Sequence, residues 1–233
     1  MEYTKNQYVI YPHEENSEPQ PDLDPKDKLI YLTIRRYMNK KTMECYPSYA
    51  EITRCTGAAA KTIKKCVDNL VKEGYLETRK EGRRIFYKFN NKKKFEAFSY
   101  DFLDNPNLTF TEKAYIVATQ QYMYKDEDTE EGRVSFTNKE LSERINMPVA
   151  TISKCNKELE RKGYLSGSSS LTKSFNLREL DQLFILKFRD IDQRIETNTE
   201  DINKLKRENE EMKRTLEEIQ NKLNIPKKMK FYL

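Results

Sequence analysis

SYAEITRCTGAAAKTIKKCVDNLVKEGYL, residues Ser48–Leu76, returns as TNKELSERINMPVATISKCNKELERKGYL at Thr137–Leu165. The two stretches align without a gap at an offset of 89. Glu51/Glu140, Thr62/Thr151, Ile63/Ile152, Lys65/Lys154, Cys66/Cys155 and Leu70/Leu159 are identical pairs, and Gly74-Tyr75-Leu76 answers Gly163-Tyr164-Leu165. Self-similarity on this scale sets the unit of architecture. Two copies are too few for a solenoid, so each is expected to be a small domain with its own core.

Each copy opens on S/T-x-x-E, Ser48 with Glu51 and Thr137 with Glu140. The hydroxyl can accept from the third helical N–H while the carboxylate reaches back, which marks a helix start. Gly57 and Asn146 follow, residues that tolerate the left-handed backbone of a tight helix end. A second helix then carries Ile63, Val67 and Leu70, or Ile152, Cys155 and Leu159, on one stripe, and Gly74 or Gly163 stops it. Two short helices across such a turn, the second with a basic outer face, read as a helix-turn-helix.

Past Leu76, Glu77–Phe89 has the pattern of a β-hairpin, with Gly82 in the turn and Phe86, Tyr87 and Phe89 in the returning strand. A hairpin after the second helix makes a winged helix. Pro25-Lys26-Asp27-Lys28-Leu29 opens a first helix, Tyr46-Pro47-Ser48 precedes the next, and Thr62-Ile63-Lys64-Lys65 and Gly74-Tyr75-Leu76 complete the set. In these residues the sequence resembles the winged-helix domain at the N-terminus of phage and plasmid replication proteins, closely over Leu23–Asn90 and loosely over Leu108–Leu177. The resemblance implies DNA binding and a role in starting replication; transcription regulators share the scaffold.

Charged residues make up 35% of the 233 and apolar ones 36%, so one large core is not expected and long solvated helices are. The net charge of +5 is unevenly placed. Ser48–Lys94 holds 13 Lys/Arg against 5 Asp/Glu, whereas Asp101–Phe136 holds 3 against 8. The positive field thus sits on the first helix-turn-helix and its wing, where a polyanion would dock. Cys45, Cys55, Cys66 and Cys155 form no C-x-x-C pair and His13 is the one histidine, so no zinc site and no cofactor is expected. The absence of a signal peptide or a membrane-length apolar run leads to the expectation of a cytoplasmic, nucleoid-associated protein without a membrane partner.

The expected fold class is mostly α with small β wings: two tandem winged helix-turn-helix domains and a C-terminal coiled-coil helix. Residues 1–23 read as a flexible arm, whose Tyr8–Tyr11 patch is equally a strand, a docking arm or part of a tail. Residues 24–92 form the first winged domain, with Asp24 as cap, Pro25 in the first turn and Leu29, Ile30, Ile34 and Tyr37 as the apolar face of its first helix. Phe95–Leu103 reads as a short amphipathic helix, and residues 93–178 make the second winged domain, its first helix opened by Thr109-x-x-Glu112. The acidic run Lys125–Gly132 lacks the spaced ligands of a calcium loop and reads as a solvated loop. The second wing, Ser166–Leu177, is rich in serine and poor in charge.

From Phe188 a heptad takes over within residues 179–224, ahead of a basic tail at 225–233. Phe188, Ile195, Ile202, Asn209, Leu216 and Leu223 fall at a, and Ile191, Asn198, Leu205, Met212 and Ile219 at d. In a parallel pair the g–e′ partners Lys187–Asp192, Asp201–Lys206 and Glu208–Lys213 are opposite in sign. A homodimer is therefore expected through Ile191, Ile195, Ile202, Leu205, Asn209, Met212, Leu216, Ile219 and Leu223.

The expected partner is double-stranded DNA, with replication or transcription proteins as further ones. Lys61 and Lys65 lie outward on the first recognition helix with Lys64 on its flank; Arg79, Lys80, Arg83 and Arg84 lie on its wing and Lys92, Lys93 and Lys94 on a strap behind it. In the second copy Ser153 and Lys154 match Lys64 and Lys65, Lys157 matches Asp68, and Ala150 stands where the first copy has Lys61. Both recognition helices begin on weak caps, Ala58-Ala59 and Met147-Pro148, which either admit a phosphate or thymine methyl closely or reflect capping that was never selected. No phosphate-binding loop, H-E-x-x-H or histidine set offers catalysis, so no enzyme is expected. The chain reads as a sequence-specific DNA-binding protein of a phage or plasmid acting in replication initiation. The alternatives are a transcription regulator on promoter or operator DNA, and a protein-interaction scaffold, against which the four basic wing residues speak.

Overall fold

In the computed structural model, residues 8–13, 23–90, 94–125, 131–180 and 202–215 are described. The chain divides into two compact units, residues 1–186 and 187–233. In order, the first unit runs β1 (Tyr8–His13), α1 (Pro25–Arg35), β2 (Glu44–Cys45), α2 (Tyr49–Thr56), α3 (Ala60–Lys72), β3 (Leu76–Glu81), β4 (Arg84–Phe89), β5 (Lys94–Ser99), α4 (Tyr100–Asp104) and α5 (Phe110–Thr119). It continues through β6 (Tyr124–Lys125), β7 (Glu131–Ser135), α6 (Asn138–Ile145), α7 (Val149–Arg161), β8 (Leu165–Ser168) and β9 (Thr172–Asn176). The described strands form three antiparallel sheets, β1-β5, β2-β4-β3 and β6-β7-β9-β8.

Local chemistry sets the helix ends. Asp24 caps α1, its carboxylate accepting from the Lys26 N–H at 2.9 Å, with Pro25 in the first turn. Ser48, Thr109 and Thr137 each form a capping box with a glutamate three residues on; a cap of this kind is worth about 1 kcal/mol. Gly57 and Asn146 close α2 and α6 at φ 75° and 51°, the left-handed region that glycine enters freely and asparagine tolerates.

Two helices depart from the one-sided pattern. In α1, Leu29, Ile30, Tyr31, Leu32 and Ile34 are all fully buried; in α5, Ala114 to Ala118 are buried without a break. A helix that is apolar all round must be covered all round. Helix α1 packs on α2 and α3 on one side and on α5 on the other, and α5 packs on α7 as well. The expected apolar face of α1 was therefore only part of what it buries. The two repeats share one hydrophobic core.

The linker corrects an expectation. Phe95–Leu103 is not one helix: it divides into strand β5 and the short helix α4, which Ser99 caps by accepting from the Phe102 N–H. The four-residue spacing of Phe98 and Phe102 imitates a helical stripe, and both rings are buried, 6.0 Å apart. What decides against a helix is β1, which pairs with β5 from Tyr8↔Ser99 to His13↔Lys94. Of the arm expected over residues 1–23, Tyr8–His13 is thus a strand, with Val9 in the core.

In the stretch expected as an acidic loop, Tyr124–Lys125 pairs with Gly132–Arg133 as the ends of a hairpin, while residues 126–130 lie outside the described ones. Gly132 permits this closely: a Cβ there would stand 2.3 Å from the Met123 sulfur.

The second unit contains one described helix, α8 (202–215). Ile202, Leu205 and Met212 along it are 51%, 62% and 59% exposed. The expected seam residues Ile191, Ile195, Leu216, Ile219 and Leu223 lie outside the described residues. Among the described residues no helix is long and apolar enough to cross a membrane, and no group of side chains could hold a metal ion.

Candidate nucleic-acid interface

The turn between α2 and α3 is stapled from both sides. Thr53 Oγ1 donates to the Ala58 carbonyl at 2.9 Å, Thr56 Oγ1 donates to the Ile52 carbonyl at 2.7 Å, and the Ala58 N–H donates back to Thr56 Oγ1 at 3.1 Å. Gly57 supplies the left-handed step between them. Ala58 is buried, and these bonds set the direction in which α3 leaves the turn.

Helix α3 buries Ile63, Cys66, Val67 and Leu70. Lys61 and Lys65 on the opposite face and Lys64 on its flank are all exposed, and no described residue pairs with any of them. Its N-cap is Ala59, which is exposed and makes no side-chain cap bond; the first-turn amides are therefore open to an anion. Beneath it, the Asp27 carboxylate is pushed up by burial, partly offset by the Cys66 thiol and the Asn69 amide, which donates at 3.2 Å. That contact holds α3 against the start of α1.

The hairpin β3–β4 turns through Gly82 and Arg83, with Gly82 at φ 57°, the position a type II′ turn reserves for glycine. Alternation places Glu44, Tyr46, Glu77, Arg79, Glu81, Arg84, Phe86 and Lys88 on the outward face of the sheet. The expected basic residues separate here. Arg79 pairs with Glu44 at 3.3 Å and with Glu81, and its guanidinium lies over Phe86, 4.4 Å from the ring centroid. Arg84 lies over Tyr46 at 5.4 Å and meets no carboxylate among the described residues, and Lys80 and Arg83 are exposed. Lys80, Arg83 and Arg84 are the cations the hairpin leaves unneutralised, and Arg79 is a brace. Of the strap, Lys94 begins β5 and Lys92 and Lys93 lie outside the described residues.

The second copy is built alike and filled differently. Helix α7 starts on Pro148 without a side-chain cap bond, and Lys154 and Lys157 are exposed. Ser153 is turned inward: its hydroxyl accepts from the Asn138 amide at 3.2 Å. Asn138 in turn accepts from Asn156 at 3.3 Å, and Asn156 accepts from the Tyr115 hydroxyl at 2.7 Å. This buried chain ties α5, α6 and α7 together where the first copy has Val67. The alignment of Asn156 with Val67 was its one signal in the sequence, and sequence reasoning passed over it.

Around α7 several cations are already engaged. Arg161 pairs with Glu158 at 2.9 Å, and Lys162 pairs with Glu112 at 2.7 Å. Lys173 on β9 is fully buried and donates to the Phe136 carbonyl; burial holds its amine below the usual lysine range, against the pull of Glu140. The hairpin β8–β9 presents serines and the exposed Leu171 at its tip. Lys61, Lys64 and Lys65 on α3 and Lys80, Arg83 and Arg84 on β3–β4 are exposed and meet no carboxylate among the described residues.

Residues 22–76 match a family model described as a helix-turn-helix domain. The match spans α1, α2 and α3 and ends at Leu76, where the hairpin begins. A comparison with curated proteins finds no match. The first unit carries an N-terminal helix-turn-helix domain of the DNA-binding kind.

Proposed function

We propose that the chain is a sequence-specific double-stranded DNA-binding protein of a phage or plasmid that acts in replication initiation. The observation that carries DNA binding is the row Lys61, Lys64 and Lys65: three exposed lysines, unpaired among the described residues, on the helix that follows the helix-turn-helix turn. Helix α3 would enter the major groove, and Lys80, Arg83 and Arg84 would hold the backbone beside it. In this reading both repeats, residues 24–92 and 93–178, are winged helix-turn-helix domains. The second, with a charge-poor wing and Ser153 turned inward, adds contacts through Lys154 and Lys157 and grips less strongly.

The apolar stripe of α8 belongs to a parallel coiled coil over residues 179–224 that joins two copies. Exposed Ile202, Leu205 and Met212 favour it, as do the opposite charges of Glu208 and Lys213 across the seam; Asn209 at a core position fixes register and favours two strands. The protein works by binding alone, without a cofactor or catalytic step, in the host cytoplasm. Replication initiation rests on the resemblance of Leu23–Asn90 to initiator domains, and the coiled coil equally favours a transcription regulator. A genome-wide footprint tests both: occupancy clustered at an origin supports initiation, occupancy at promoters supports regulation, and uniform or absent occupancy rejects sequence-specific binding.

A further inference from the structure

Three helix C-termini meet at one polar junction between the repeats. Lys113, in α5, is 3% exposed, and its ammonium donates to the Leu103 carbonyl at 2.6 Å and the Cys55 carbonyl at 3.2 Å. Cys55 is in the last turn of α2 and Leu103 in the last turn of α4. Carbonyls there lack intrahelical partners and carry the negative end of the helix dipole. Arg36 stands beside them as the C-cap of α1: it pairs with Asp104 and lies over the Tyr100 ring at 4.6 Å, while Tyr100 donates to the Arg36 carbonyl at 3.2 Å.

Burying an ammonium is costly unless every proton finds an acceptor. A methionine of similar length would fill the same gap but strip the Leu103 and Cys55 carbonyls of this donor, so the lysine first of all satisfies two orphan acceptors. What the lysine adds is direction. Apolar packing between α1 and α5 tolerates sliding, whereas two hydrogen bonds to carbonyls on two other helices permit one arrangement. The Cys55 carbonyl precedes the stapled turn by one residue, so the bond reaches from the first helix of the second repeat to the elbow that aims α3.

We propose that Lys113 is a positioning residue that sets the spacing specificity of DNA recognition, by fixing the first recognition helix relative to the second repeat while touching no DNA itself. The proposal rests on the reading of both repeats as DNA-binding domains. Lys113 then determines which separation of two contact blocks the protein accepts, while Lys61, Lys64 and Lys65 determine affinity within one block.

The test uses the full-length chain and Lys113→Met. Spin labels carried by unnatural amino acids at the exposed Val71 of α3 and Val149 of α7 report the distance between the two helices without DNA. Wild type gives one narrow distribution, and Lys113→Met broadens or splits it; an unchanged width overturns the proposal. The second arm uses a duplex selected by wild type from a randomised library, with the two protected blocks mapped. Inserting about five base pairs, half a helical turn, between the blocks lowers wild-type affinity on the order of 100-fold, as for loss of one of two linked contacts. Lys113→Met loses less than about threefold on the same insertion, and equal sensitivity overturns the proposal. If wild type selects no duplex, the DNA-binding reading fails and the label distances still decide the junction. Should Lys113→Met not fold, Lys113→Gln, shorter and uncharged, carries both arms.

Discussion

Arg79 reaches Glu44 across the hairpin sheet at 3.3 Å, and this pairing divides four arginines and lysines that look equivalent in sequence. With Glu81 on its other side and Phe86 beneath, Arg79 holds the sheet together, while Arg83 and Arg84 remain available to phosphates. Charge reversal of Arg83 and Arg84 to Glu should weaken binding to every duplex, cognate or random. Each lost phosphate contact should shallow the slope of log K against log[salt] by about 0.9. Arg79→Ala should leave that slope nearly unchanged and instead lower the melting temperature. Salt titrations of the variants on one duplex check both; a wild-type slope in the double reversal removes the hairpin from the interface.

Lys61 and Lys65 should behave differently, because they face outward near the start of the recognition helix. Alanine at either should cost roughly 1–3 kcal/mol on cognate DNA per lost base contact and much less on random DNA. Competition binding against a random duplex measures the difference. Equal losses on both would show that α3 only positions the protein.

Glu112 offers a stability test away from DNA. Burial pushes its carboxyl up, but the Lys162 ammonium and the Thr109 N–H and hydroxyl outweigh this and hold it below its usual 4.5. A depressed folded value means the stabilisation is present above 4.5 and is lost as pH falls through the lower folded value. Glu112→Gln should remove that acid dependence and destabilise by roughly 1–3 kcal/mol, since Lys162 is left without its counter-charge. Denaturant melts of both proteins across the acid range read it directly.

At the alkaline end, burial pushes the Cys155 thiol from 9.0 up to about 11, the Cys45 thiol to about 12 and the Tyr31 hydroxyl from 10.0 to about 12. The unfolded chain releases these protons first, so stability is full below pH 9 and declines as pH rises from there towards 12. Cys155→Ala should make the decline shallower. A melting curve flat from pH 8 to 11 would contradict the burial of these groups.

Deleting Ile191–Leu223 should leave folded monomers that bind DNA far more weakly, because one contact replaces two linked ones. Sedimentation and binding of the truncated and full-length chains decide it. A full-length protein that sediments as a monomer at micromolar concentration would remove the coiled coil from the reading.

The repeat itself was legible because its punctuation is chemical: capping boxes at Ser48 and Thr137, left-handed stops at Gly57 and Asn146, and a glycine turn at Gly82 all act within a few residues. The strand at Lys94–Ser99 was not legible, because its partner lies some 85 residues earlier and the Phe98–Phe102 spacing imitates a helix. Among the candidate contacts, exposure of Lys61, Lys64 and Lys65 followed from periodicity alone. The pairing of Arg79 and the inward turn of Ser153 did not, since each depends on a residue from another element, Glu44 and Asn138. Lys113 was passed over for the same reason: in sequence it is one lysine in an apolar helix, and its acceptors belong to two other helices.

The all-round burial of α1 bears on how this protein can be dissected. The matched stretch 22–76 looks like a portable module, one that could be expressed alone or grafted onto another chain. Cut out, it would lose α5 from one side of α1 and, with the hairpin, the Phe89 ring that packs on Tyr31, and would gain an adhesive surface along with its freedom. A fragment clumping in solution would then reflect the missing neighbour, not a flaw in the module. The smallest honest experimental object reaches from β1 to β9.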